Sequence, residues 1–200
     1  MKVPFRLQVS EYDCGPTALI NALSYLFDRR EIPPFVVHQV YKECLDLDSA
    51  RGTSFNAIQD LGFWFKHYRE ERYSAFTIET EFISGNQVHL RPTGKIIRCL
   101  DSGGVALLCV NSSRNNWHYI IALYYKDGWL HCHDPSPRSK RFINGAAVQF
   151  SPTVGQKPNL RIHCKWLDKG IKKSREEDGR KYALGDIDDR VCLLLKRVRV

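Results

Sequence analysis

The stretch from Gln8 to Leu26, QVSEYDCGPTALINALSYL, constrains the fold more than any other part of the chain. Thr17, Ala18, Leu19, Ile20, Ala22, Leu23 and Leu26 recur at helical spacing, and Pro16 suits the first turn of a helix, where its missing N–H is not needed. A helix this apolar should be mostly buried, so the rest of the chain has to supply a surface that covers it. Cys14 stands just before Gly15 and Pro16 at the helix start, with the amide side chain of Gln8 six positions upstream. At such a position the first unpaired backbone N–H groups and the positive end of the helix dipole lie beside the sulfur and favour thiolate over thiol. This is the layout expected of a thiol nucleophile.

Two hundred residues with 43% hydrophobic content suit one globular domain over 1–200, with 138–200 a C-terminal extension of it. The cysteines at 14, 44, 99, 109, 132, 164 and 192 are odd in number and form no CxxC pair. That argues against a disulfide framework or a zinc ribbon and for a reducing compartment. The N-terminus has no apolar h-region, and no apolar run approaches a membrane span, so a cytoplasmic protein without a transmembrane segment is expected. Net charge is +8, with clusters at Arg29-Arg30, Arg138 to Arg141, Lys169 to Arg175 and Lys196 to Arg199. Basic residues so dispersed read as solvated faces, and no nucleic-acid partner is expected. Nothing in the sequence specifies an oligomeric state.

After the first helix, Val36, Val37, Val40, Tyr41 and Cys44 predict a second helix over about 35–47, following Pro33-Pro34. A third begins after Gly52, where Thr53 or Ser54 can cap Phe55, Ala57, Ile58 and Leu61, with Gly62 as its end. From Phe63 the pattern shifts to short aromatic and β-branched runs broken by Gly, Asn and Pro. Strands are expected at 76–83, 105–110, 117–125 and 129–134, and also at 147–150, 160–166 and 191–198. A short helix is expected over 91–100. The charged stretch 168–180 reads as an exposed, mobile loop. Helices first and an antiparallel sheet after them describe an α+β domain.

A base for Cys14 is offered by the hairpin, with His118 near the start of its first strand and Asp134 near the end of its second. A three-residue loop over Lys126 to Gly128 would set Asp134 opposite Ile120 and make His118 its diagonal neighbour on one face, about 7–8 Å away at the backbone. A two-residue Asp127-Gly128 turn would pair Asp134 with Ile121 and send the two side chains to opposite faces. Contact between His118 and Asp134 therefore predicts the longer loop. In that arrangement Asp134 holds the imidazole by one nitrogen and leaves the other to exchange a proton with Cys14. Gln8 and the backbone N–H of Cys14 would then form an oxyanion hole.

Each of these residues has a plainer reading: a buried structural cysteine, a packed histidine, an Asp-Pro turn and a glutamine satisfying a backbone group. Their combination in this order carries the functional one. Metal binding is the rival, since His131, Cys132, His133, His163 and Cys164 carry imidazole and thiol, and His131 and His133 share a strand face. No Cys or His pair has zinc-finger spacing and a third ligand lacks an anchor, so neither metal nor cofactor is expected.

Gln8, Asp13-Cys14-Gly15-Pro16-Thr17-Ala18, Trp117-His118-Tyr119-Ile120-Ile121 and His133-Asp134-Pro135, in that order, resemble the papain-like cysteine peptidases of the C39 and C39-like group. The resemblance covers about residues 1–137. It implies a papain-like fold, a nucleophilic Cys14, a base and acid His118, an orienting Asp134, an oxyanion-hole Gln8 and a peptide or protein substrate. It also makes Gly52-Thr53-Ser54 look like the family's helix start between nucleophile and histidine. The best-known members are bacterial, are fused to exporters and cut leader peptides after a double glycine; this sequence has neither a membrane region nor a P-loop. Three functions follow: a cysteine peptidase, an acyltransferase or peptide ligase using the same thioester, and a peptide-binding module without catalysis.

Overall fold

Helix α1 (Cys14–Leu26) buries every residue except Tyr25, as its apolar pattern requires. In the computed structural model, which describes residues 2–45, 52–113, 116–137, 147–170 and 181–198, it packs with α2 (Pro34–Cys44), which in turn packs with α3 (Phe55–His67). Ser54 caps α3, its hydroxyl accepting from the Ala57 N–H at 3.1 Å. The helix does not stop at Gly62. A Cβ there would lie 2.6 Å from Cδ1 of Leu193, so this glycine admits a strand side chain against the helix instead of ending it. Phe63, Trp64 and Phe65 consequently belong to α3. The last residues expected of the second helix, beyond 45, lie outside the described residues.

The remaining elements are β1 (Ile78–Ser84), α4 (Lys95–Asp101), β2 (Val105–Ser113), β3 (Asn116–Lys126), β4 (Trp129–His133), β5 (Val148–Phe150), β6 (Leu160–His163), one helical turn α5 (Cys164–Leu167) and β7 (Val191–Arg197). The strands form a sheet in the order β1-β7-β2-β3-β4-β6-β5, with every neighbouring pair antiparallel. This is an α+β fold with the cysteine at the start of a helix packed on an antiparallel sheet. The strand expected over 160–166 gives way at His163, whose ring accepts from the Lys165 N–H and caps α5.

Alternation along the strands sends two apolar sets to opposite faces. Val105, Leu107 and Cys109 of β2 with Tyr119, Ile121 and Leu123 of β3 face α1, α2 and α3. Ala106, Leu108 and Val110 with Ile120 and Ala122 face α4, α5 and the segment holding Tyr182 and Leu184. The last strand, β7, lies between β1 and β2, so residues from the C-terminal end of the chain build an interior strand of the sheet. Buried Arg190 ties that end down, donating to the Asp168 carboxylate at 2.6 Å and to the carbonyls of Val88, Gly185 and Asp168. Asp168 is therefore anchored where the sequence suggested a mobile loop; 171–180 lie outside the described residues.

The N-terminal segment is fixed along α1 and the end of the main hairpin. Buried Asn21 accepts from the Arg6 N–H at 2.8 Å and donates to the Arg6 carbonyl at 2.9 Å, acting as a one-residue strand partner. Phe5 donates to the Gly155 carbonyl and Gln8 to the Pro135 carbonyl. Among the described residues no helix is long and apolar enough to cross a membrane.

The approach of α1 to the loop before α3 depends on Gly15, where a Cβ would fall 2.0 Å from Oγ1 of Thr53. Gly15→Ala is expected to destabilise the fold by about 1–3 kcal/mol in urea denaturation, as overpacking does. Adding Thr53→Ala should recover much of that loss, and additive destabilisation by the two changes would contradict the contact.

Candidate active site

Cys14 is the first residue of α1 and is 6% exposed. The first helical bond runs from the Thr17 N–H to the Asp13 carbonyl, so the Cys14 and Gly15 N–H groups have no intrahelical acceptor. The turn from Gln8 to Cys14 is organised by the Asp13 carboxylate, which accepts from the Val9 N–H (3.0 Å), the Ser10 N–H (2.8 Å) and the Ser10 hydroxyl (2.9 Å). Partial burial opposes ionisation of Asp13, but these donors outweigh it and hold the carboxyl below its ordinary 3.8. Gln8 directs its amide nitrogen to the Ser10 carbonyl at 2.7 Å. Its Oε1 is buried without a hydrogen-bond partner among the described residues.

The Gly52-Thr53-Ser54 stretch lies against this turn. Gly52 has φ of 104°, a left-handed value suited to glycine, and a Cβ there would sit 3.3 Å from the Tyr12 carbonyl. Thr53 donates to the Cys44 carbonyl and contacts Gly15. Phe55, at the start of α3, meets Trp117 edge-on with ring centroids 6.1 Å apart.

The hairpin brings His118 and Asp134 together by a different route from the one expected. Lys126 faces Trp129 across a two-residue turn in which Asp127 (φ 51°) and Gly128 (φ 82°) are both left-handed, the signature of a type I′ turn. That turn alone would have put the two side chains on opposite faces. The register shifts between Ala122 and Tyr124, where Leu123 is an extra residue on β3, and beyond it Ala122 pairs with Cys132 and Ile121 with His133. One further step sets Asp134 opposite Ile120, the pairing that contact with His118 demands. The bulge does what a longer loop would have done.

His118 Nε2 lies 2.6 Å from Oδ1 of Asp134, with the histidine 7% and the aspartate 0% exposed. Cys14 stands near enough to His118 to act on its charge, and with Nε2 engaged by Asp134 Nδ1 is the nitrogen left for the sulfur. Burial works to lower the His118 pKa, but the bond to Asp134 and the contact with Cys14 push it up to about 9. Cys14, His118 and Asp134 thus converge, from a helix on one face of the sheet and from strand positions that belong to the other.

Two residues that sequence reasoning missed hold Asp134. Asn159 accepts from the Asp134 N–H and donates to its carbonyl, both at 2.8 Å. The Tyr182 hydroxyl donates to Oδ2, while the Ser136 N–H reaches Oδ1 at 2.8 Å. No local signal marks either side chain; an Asn just before a strand and a Tyr after a charged stretch carry no spacing that points to Asp134.

The imidazoles and thiols of the rival metal reading are dispersed. His131 stacks on Tyr124 at 4.3 Å, whereas His133 packs on Phe5 and approaches Asn21, with burial pushing its pKa down to about 4. Burial raises the Cys164 thiol to about 11. Among the described residues no group of three or more His, Cys, Asp or Glu side chains is arranged to hold a metal ion.

No family model matches the chain. No curated protein matches it either. Among solved structures it is similar to a double glycine motif protease from an AMS/PCAT transporter, in complex with the leader peptide, at a TM-score of 0.46 and 16% identity over 98% of this chain and 93% of that one.

The role of Asp13 has a direct check. Asp13→Ala should raise amide hydrogen exchange at Val9 and Ser10 by about tenfold or more, the loss of hydrogen bonds to a charged group. Because the Asp13 pKa is depressed, its stabilisation is full above 3.8 and is lost as pH falls through the lowered value, so protection of the same amides in the unaltered protein should fade below 3.8.

Proposed function

We propose that the chain is a papain-like cysteine peptidase of the C39-like kind, acting on a peptide or protein substrate. The observation that carries this reading is the buried imidazole of His118, bonded through Nε2 to Asp134 at 2.6 Å and near enough to Cys14 for the thiol to raise its pKa. A packed structural histidine needs one partner; this one has a carboxylate and, acting on its charge as well, the thiol at the start of α1.

In the proposed reaction Cys14 Sγ, its proton already passed to His118, attacks a peptide carbonyl carbon. The carbonyl oxygen becomes an oxyanion, met by the Cys14 N–H and by the Gln8 amide, whose nitrogen has a second hydrogen beyond the one given to Ser10. The C–N bond then breaks as His118 returns the proton to the leaving amine, giving an acyl thioester on Cys14. Water, deprotonated by His118, attacks the thioester, releases the carboxylic acid and restores the thiol. Asp134 holds the ring in the required orientation and stabilises the imidazolium.

The other thiols are poor competitors for an electrophile. Burial lifts Cys99 and Cys164 to about 11 and raises Cys109, Cys132 and Cys192 as well, while Cys44 is fully buried. Iodoacetamide at neutral pH is therefore expected to label Cys14 first, and His118→Ala to slow that labelling. Uniform labelling of the seven cysteines, or indifference to His118→Ala, would defeat the peptidase reading. With an activated peptide ester, a thioester on Cys14 should be trapped by mass spectrometry, and Asp134→Asn should slow turnover by as much as about ten-thousandfold. The imidazolium is raised from 6.5 to about 9, so it is fully protonated below 6.5 and is lost as pH rises through about 9. Turnover should fall in that alkaline range, and a rate still climbing there would contradict His118 as the proton donor.

A further inference from the structure

Asp134 reaches His118 through one carboxylate oxygen, and its other oxygen is approached from a part of the chain remote in sequence. Tyr182 is 2% exposed and donates its hydroxyl to Oδ2. Its backbone is held at φ of 66°, a left-handed conformation that a bulky side chain rarely adopts. The surroundings enforce it: Tyr182 N–H donates to the Asn111 carbonyl at 2.7 Å, Asn111 N–H to the Ala183 carbonyl at 2.8 Å, and Leu184 N–H to the Leu167 carbonyl at 2.7 Å. These bonds fasten the segment to β2 next to the strand that carries His118, since Asn111 pairs with Trp117 across the β2–β3 ladder. The ring joins the apolar set on that face, and the hydroxyl ends on the carboxylate.

Packing explains the ring but not the aim of the hydroxyl. A phenylalanine would fill the same space but remove this donor from a carboxylate that has no exposed surface, where each lost hydrogen bond is costly. We propose that Tyr182 is a positioning residue of the reaction centre: its hydroxyl fixes the second carboxylate oxygen of Asp134, while Asn159 clamps the same residue's backbone, so the carboxylate cannot rotate away from His118. The role rests on the reading of Cys14, His118 and Asp134 as a reacting triad. It makes the residues after the main hairpin part of the machinery. Without the hydroxyl the carboxylate loses a donor that holds Oδ1 on His118 Nε2, and the imidazolium loses part of its support.

The test follows the His118 ring by NMR titration of the full chain, together with the rate of Cys14 alkylation by iodoacetamide. Tyr182→Phe is expected to lower the His118 midpoint by about one pH unit and to slow Cys14 alkylation by about tenfold, in a variant that still folds but melts a few degrees lower. A variant that melts lower yet keeps the midpoint and the alkylation rate would reduce Tyr182 to packing and overturn the proposal. Should Tyr182→Phe fail to fold, the hydroxyl proton of Tyr182 in the unaltered protein decides. It should be protected from exchange and shift as His118 titrates, and a rapidly exchanging or unresponsive proton overturns the proposal equally. Failure of the triad reading would show separately, as Cys14 labelling unaffected by His118→Ala, whereas the His118 midpoint reports on Tyr182 alone.

Discussion

The arrangement turns on one carboxylate that has no surface in contact with water. Asp134 is 0% exposed, and a buried charge is tolerated only where donors replace the solvent it has lost. Here they come from His118 on β3, Ser136 just past the hairpin and Tyr182 near the C-terminal end, with Asn159 holding the backbone. No local piece of chain could provide this set. The sheet has to be assembled from β2 to β6, with the 182–184 segment fastened to β2, before the carboxylate is satisfied. Site and fold are therefore coupled, and a defect far from Cys14 along the chain would be felt at His118.

The hairpin shows what a functional constraint can and cannot extract from sequence. Requiring His118 and Asp134 to share a face implied a definite pairing, Asp134 opposite Ile120, and that pairing is the one to which the ladder leads. It did not imply how the register is reached. A longer loop and a tight turn followed by a one-residue bulge have the same consequence beyond the bulge, and Leu123 in an apolar strand has no mark to distinguish it from its neighbours. Asp127-Gly128 favoured the tight turn all along, so the local and the long-range signals were both right and the bulge reconciles them.

Elsewhere legibility followed the range of the interaction. The apolar spacing of α1, the Ser54 cap of α3 and the strands from Val105 to His133 are set by neighbours within a few residues, and they could be read from the sequence. Gly62 was misread because its local meaning, a helix stop, is overridden by Leu193 of β7, which needs the space a side chain would occupy. Tyr182 and Asn159 were invisible for the same reason: each contributes a single polar group to a residue many positions away, and a lone hydroxyl or amide has no periodicity.

The turn before Cys14 extends this coupling to the other side of the sulfur. Asp13 holds Ser10 by N–H and hydroxyl, and the Ser10 carbonyl receives the Gln8 amide, so a single carboxylate orients the proposed oxyanion donor through one intermediate residue. The Gln8 oxygen gains nothing from that arrangement, being buried without a partner among the described residues, at a cost of about 1–3 kcal/mol for a polar group so placed. The amide is thus positioned for the sake of its nitrogen, whose bond to Ser10 leaves one hydrogen to spare. In the proposed reaction Asp13 before Cys14 and Asp134 behind His118 play matching parts: neither would meet the substrate, and each fixes a group that would.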